Sequence, residues 1–188
     1  MAHRGQEITN PRSGQRMVFL ETAADTGGAL LRIDTFNPPS ETREPEHVHP
    51  RQESGLKLVS GSLCLKMAGE ERSPAAGESI TIPAGTPHHF WNDGEEAAHS
   101  VQWFRPALRT EAFFESYFAL AQDGKLDQNG MPNLLQLALS TPAFGNEIRV
   151  TRPPWLAQRL FAALLSPVAR RRGYTAEYRR SQSPSPAA

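Results

Sequence analysis

The central part of the chain alternates apolar and polar residues in short runs, and the period changes once, near Pro106. Met17-Val18-Phe19-Leu20 and the run from Ala29 to Phe36 flank Asp25-Thr26-Gly27-Gly28, a pattern that predicts two strands joined by a tight turn. Leu56 to Val59 and Leu63 to Met67 flank Ser60-Gly61-Ser62 and read as strand, turn, strand. Ser79 to Ile82, Pro87 to Trp91 and His99 to Phe104 complete the set. Many short strands with Gly/Pro punctuation and no helical period predict a sandwich or barrel.

Beyond Pro106 the spacing becomes helical. Phe113, Phe114, Tyr117, Phe118 and Ala121 recur at three- and four-residue intervals, with Thr110 as the expected cap and Gly124 as the expected stop. This aromatic stripe is expected to pack as core, against the barrel or across a dimer interface. Pro132 precedes a short apolar run from Leu134 to Leu139, and Pro153-Pro154 precede a helix from Trp155 that should bend at Pro167. The expected organisation is a loose N-terminal arm at 1–16, a β-barrel at 17–106, a helical extension at 107–180 and a disordered Ser/Pro/Ala tail at 181–188.

Composition narrows the function classes. The chain has 188 residues, room for one well-buried domain with accessory helices. Twenty Lys+Arg balance twenty Asp+Glu, so overall charge gives no reason to expect nucleic acid. The single Cys64 excludes an internal disulfide and is expected to be a buried, inert thiol. Met1 is followed by polar residues, so no signal peptide is expected and the cytoplasm is the default location. The segment from Trp155 to Val168, followed by Arg170-Arg171-Arg172, reads as a basic amphipathic helix. A packed helix with cations at its C-terminal end is the favoured reading, and contact with an anionic membrane the less favoured one. Asp127, Asn129 and Gly130 resemble part of a calcium loop, but Lys125 and Gln136 occupy the positions of its first and last acidic ligands.

The candidate chemistry lies in the histidines. Four of six form two tight clusters, His47-Val48-His49 and His88-His89. On an extended segment, residues two apart point to the same side, so His47 and His49 converge as two ligands of a transition metal. A third arrives with His88, at the end of the turn Pro83-Ala84-Gly85-Thr86-Pro87. By alternation Phe90 and Asn92 share the inward face with His88 and are candidate pocket residues, while His89 and Trp91 face outward.

Gly77, Pro83, Gly85, His88 and Asn92 stand at every fixed position of the second motif of the cupin superfamily, and Glu46-His47-Val48-His49 followed by Gly61 resembles the first. The resemblance covers roughly residues 40 to 105. It implies a mainly β protein, a cupin double-stranded β-helix (a small jelly-roll barrel) carrying C-terminal α-helices, with one divalent metal ion and often a homodimer. The metal would be Fe, Mn, Ni, Cu or Zn, since imidazole suits them alike. One position departs from the motif. Counting back from Gly61 to the expected glutamate lands on Ser54, whereas counting forward from His49 lands on Glu53. Either a three-histidine site leaves Ser54 beside an open position, or a β-bulge turns Glu53 inward as a fourth ligand.

Three neutral imidazoles leave the ion its full double charge and open positions, the arrangement expected of a catalytic site. What the resemblance then implies is a small-molecule ligand or substrate, with dioxygenase chemistry leading. A sugar or keto-acid isomerase, and a non-catalytic ligand-binding or interaction module, stay open at this point because one fold hosts many chemistries.

Overall fold

A computed structural model describes residues 2–40 and 44–180; the tail at 181–188 lies outside the described residues. Eleven strands and three helices follow one another as β1 (Glu7–Thr9), β2 (Arg16–Glu21), β3 (Leu31–Asn37), β4 (His47–Val48), β5 (Glu53–Ser60), β6 (Cys64–Met67), β7 (Glu70–Arg72), β8 (Ser79–Ile82), β9 (His88–Trp91), β10 (Ala98–Arg105), α1 (Thr110–Gln122), α2 (Leu134–Ala143), β11 (Arg149–Val150) and α3 (Trp155–Arg171). They form two antiparallel sheets of order β1-β2-β3-β10-β5-β8 and β11-β4-β9-β6-β7. This is the expected jelly roll with C-terminal helices.

Alternation sets which side chains enter the space between the sheets. Along β10, Ala98, Ser100, Gln102 and Phe104 are buried; along β3, Leu31, Ile33 and Thr35 are. Met17, Phe19, Leu31, Ile33 and Phe104 pack with Phe118 of α1 at one end, and Leu56, Leu58, Leu63 and Ala98 pack at the other. β5 and β6 are neighbours in sequence but belong to different sheets. The turn between them is a barrel corner in which Gly61, at φ 81°, passes so close that a Cβ would lie 2.7 Å from the Ala97 carbonyl oxygen.

Three expectations need correcting. The segment 1–16 was expected to be a loose arm, but it contributes the edge strand β1, whose Ile8 is buried while Glu7 and Thr9 face out. One inward apolar residue in a polar stretch is enough for an edge strand already paired on its other side. Thr110 does not cap α1. The boundary residue is Arg109, and the Thr110 hydroxyl accepts a hydrogen bond from Gln52 Nε2 at 2.7 Å. The extension after Pro106 is not helical throughout: β11 pairs with β4, placing Arg149 opposite Val48 and Val150 opposite His47.

Candidate metal centre

β4 and β9 are adjacent antiparallel strands with His47 directly opposite His88. His49 follows β4 on the same side as His47, and the turn before His88 docks back on it, Gly85 N donating to the His49 carbonyl oxygen at 2.9 Å. That turn needs a residue at positive φ, which Gly85 supplies at 77°. The ring centroids of His47, His49 and His88 lie 4.5 to 5.2 Å apart, and one nitrogen of each ring lies within 4.8 Å of the others. All three residues are buried, at 6%, 6% and 2% exposure.

Each imidazole meets a main-chain carbonyl through Nδ1. His47 Nδ1 lies 3.0 Å from Pro45 O, His49 Nδ1 2.6 Å from Glu147 O, and His88 Nδ1 2.8 Å from Thr86 O. A carbonyl only accepts, so every Nδ1 carries the proton and every Nε2 keeps a lone pair. Burial, then the neighbouring rings, hold His47 well below the ordinary histidine range. Burial foremost lowers His49 to about 4, and it lowers His88 too. Three neutral imidazoles with free Nε2 atoms fit one divalent ion, and their carbonyl partners are the orienting contacts such ligands ordinarily have.

Glu53 stands apart from this cluster. From Glu53 to Leu58 β5 pairs with β10 without interruption, and the register shift falls at Val59, between His99 and Ser100 of the partner strand. The extra residue that the motif counting requires is therefore present, but downstream, where it rotates nothing upstream of it. Glu53 points outward to Arg105, 3.5 Å away, and Ser54 points inward and is buried. The expectation of Glu53 as fourth ligand thus meets an outward-facing side chain. Among the described residues the convergent metal-type group is His47, His49 and His88 alone.

The histidines open on a cavity of about 350 Å³ that runs from the barrel to the underside of α1 and α2. Phe90, Phe104, Phe113, Phe114, Tyr117 and Phe144 are among its walls. Ser54 and Gln102 are among its lining residues, and Ser54 Oγ and Gln102 Nε2 have no hydrogen-bond partner among the described residues. Asn92 also borders it, but its amide is spent on the chain, donating to Asn37 O and Glu96 O and accepting from Gly94 N. His89 lies outside the cluster against Trp91, which is buried rather than open to solvent. Cys64 is half-buried, within 3.2 Å of Ser73 Oγ and Asp93 Oδ2, and burial raises its thiol.

Two contributors escape sequence reasoning. Glu147 supplies the carbonyl that holds His49 from 98 residues away, and nothing in the local sequence marks it. Glu44 places a carboxyl on the cavity wall, three residues before His47. The residue keeps exposed surface, yet crowding of the carboxyl by protein raises it to about 7. Tyr117, its electrostatic neighbour, is raised to about 12, chiefly by burial, and donates its hydroxyl to Gly130 O at 2.9 Å.

An antiparallel double-stranded β-helix with a histidine trio between its sheets defines a class of small barrel proteins. Residues 37–104, about a third of the chain, match the family model of the cupin domain, which supports a cupin-type barrel over that segment. It is 26% identical over 125 residues to an oxidoreductase of Arthrobotrys oligospora, covering 62% of this chain and 47% of that one. It is 29% identical over 77 residues to the quercetin 2,3-dioxygenase of Bacillus subtilis, covering 41% and 23%. The chain thus spans less than half the length of either relative. An RmlC-like cupin from Shewanella frigidimarina superposes with a TM-score of 0.48 at 17% identity, covering 59% of this chain and 96% of that one.

Proposed function

We propose that this protein is a metal-dependent enzyme acting on a small apolar molecule that carries oxygen substituents, with dioxygenase chemistry as the reading its site supports best. The observation that carries it is the set of three neutral imidazoles, each fixed through Nδ1 by a carbonyl, facing an aromatic-walled cavity. His47, His49 and His88 would hold one divalent ion of Fe, Mn, Ni, Cu or Zn, which supplies Lewis acidity and, for a redox-active metal, electron transfer.

The chain's own groups divide the remaining work. Phe90, Phe104 and the α1 aromatics exclude water and hold an apolar body. Ser54 Oγ and Gln102 Nε2 offer hydrogen bonds to its oxygens, since buried polar groups without internal partners are satisfied by a ligand or water. Glu44 can exchange a proton near neutral pH. The relatives named oxidoreductase and quercetin 2,3-dioxygenase support the same direction. The apolar walls count against a sugar isomerase, whose substrate would need polar contacts along its length. A homodimer, and the cytoplasm as compartment, complete the reading.

Elemental mass spectrometry on untagged protein purified without chelators tests it, beside a His47→Ala/His88→Ala variant. Near one equivalent of metal in the parent, lost in the variant, is expected, followed by oxygen uptake with flavonols or catechols. A parent that holds no metal even after reconstitution would overturn the enzyme reading and leave a ligand-binding barrel.

A further inference from the structure

α3 is attached to the molecule by a narrow face. Its buried residues are Gln158, Ala162 and Ala169, and Gln158 Nε2 donates to the carbonyls of Val150 and Pro153 at 2.9 and 2.7 Å. At about 100° per residue these three residues share one side. The opposite side carries Leu156, Leu160 and Leu164, exposed by 67%, 64% and 75%, with Val168 on the flank. Spaced by four, the leucines form a continuous ridge about 12 Å long at 1.5 Å rise per residue. A surface helix ordinarily turns its leucines inward; this one turns small residues inward and leucines out. A ridge of that kind marks an interaction surface.

Charge decides what covers it. No acidic residue occurs between Glu147 and Glu177, while Arg149, Arg152, Arg159, Arg170, Arg171 and Arg172 all do, in a chain whose overall charge is zero. All of these except Arg149 are exposed. A second copy seated ridge to ridge would bring two such arginine sets together with no carboxylate on either helix. An anionic bilayer surface accommodates both features, leucines among the acyl chains and arginines at the phosphates. No helix among the described residues is long and apolar enough to cross a membrane, so the contact is in the plane of the surface.

We propose that α3 docks this protein on an anionic lipid surface, with Leu156, Leu160 and Leu164 inserted and Arg159, Arg170, Arg171 and Arg172 at the headgroups. The test is co-sedimentation of the full chain with vesicles of phosphatidylcholine alone or with about 30% phosphatidylglycerol. Binding to the anionic vesicles is expected, weakened by salt. Arg170→Gln/Arg171→Gln/Arg172→Gln should weaken it by roughly a hundredfold, each arginine near an anionic surface being worth about a factor of five. Leu160→Glu/Leu164→Glu should abolish it while leaving the circular dichroism spectrum and melting temperature of the parent, because both leucines are exposed. Equal partition into neutral and anionic vesicles, or equal binding by parent and leucine variant, would overturn the proposal. So would a parent dimer that the leucine variant converts to monomer, which would assign the ridge to a second copy.

Discussion

One hydrogen bond per ring decides what the histidines can do. With Nδ1 protonated against a carbonyl and the ring buried, His49 takes a proton only near pH 4, against about 6.5 in an unfolded chain. The unfolded state therefore binds the proton first as pH falls. In chelator-treated protein, stability should be fully present above about pH 6.5 and decline toward pH 4, by about 3 kcal/mol from His49 alone. His47 and His88 are shifted in the same direction and add to the loss. Urea midpoints across that range check it; a flat profile would contradict the neutral trio. Glu53→Ala should leave metal content unchanged and alter stability by at most about 1 kcal/mol, since its ion pair with Arg105 is exposed. His88→Ala should reduce metal retention at least tenfold, read by elemental analysis. The pairing of His47 with His49 was legible in the sequence because residues two apart on a strand share a side, and His88 through the turn and motif that it ends. The carbonyl of Glu147 was not, because a main-chain contact between distant segments leaves no side-chain signature.

At the scale of elements, β5 shows how far counting goes. Gly61 and His49 together require one additional residue, and the alternation of an uninterrupted strand gives Glu53 and Ser54 opposite faces. Where the extra residue sits depends on pairing with β10, which no local pattern reveals; the structure puts it at Val59. The same strand carries Gly55 against the Trp103 ring, where a Cβ would meet Cζ2 at 2.2 Å and the Ile80 carbonyl oxygen at 2.5 Å. Main-chain oxygen cannot step aside, so Gly55→Ala should destabilise by about 3 kcal/mol, lowering the melting temperature by roughly 6 to 12 °C. The stripe on α1 was legible as a helical period but not as a cavity wall. Phe118 is buried in the core as expected, with Phe114 and Tyr117 packed against it, and all three border the pocket together with Phe113. Periodicity gives a face; only the fold says what stands opposite it.

For the whole molecule, the extension after Pro106 belongs to the site. It adds β11 beside β4, the Glu147 carbonyl on His49, the Phe118 ring in the core and the ceiling of the cavity. Removing residues 107–188 should therefore give an insoluble or metal-poor barrel rather than an independent domain, checked by soluble yield and bound metal. A soluble, fully loaded truncation would show that the strands suffice. The long reach of β11 also bears on the order of events in synthesis. The residue that orients His49 emerges 59 positions after His88, the last of the three histidines. At about 5 to 20 residues per second the growing polypeptide spends roughly 3 to 12 s with all three rings made and one of them unsupported. An ion held by the trio, as proposed above, would therefore meet a fully oriented His49 only once Glu147 has been made and β11 has paired with β4.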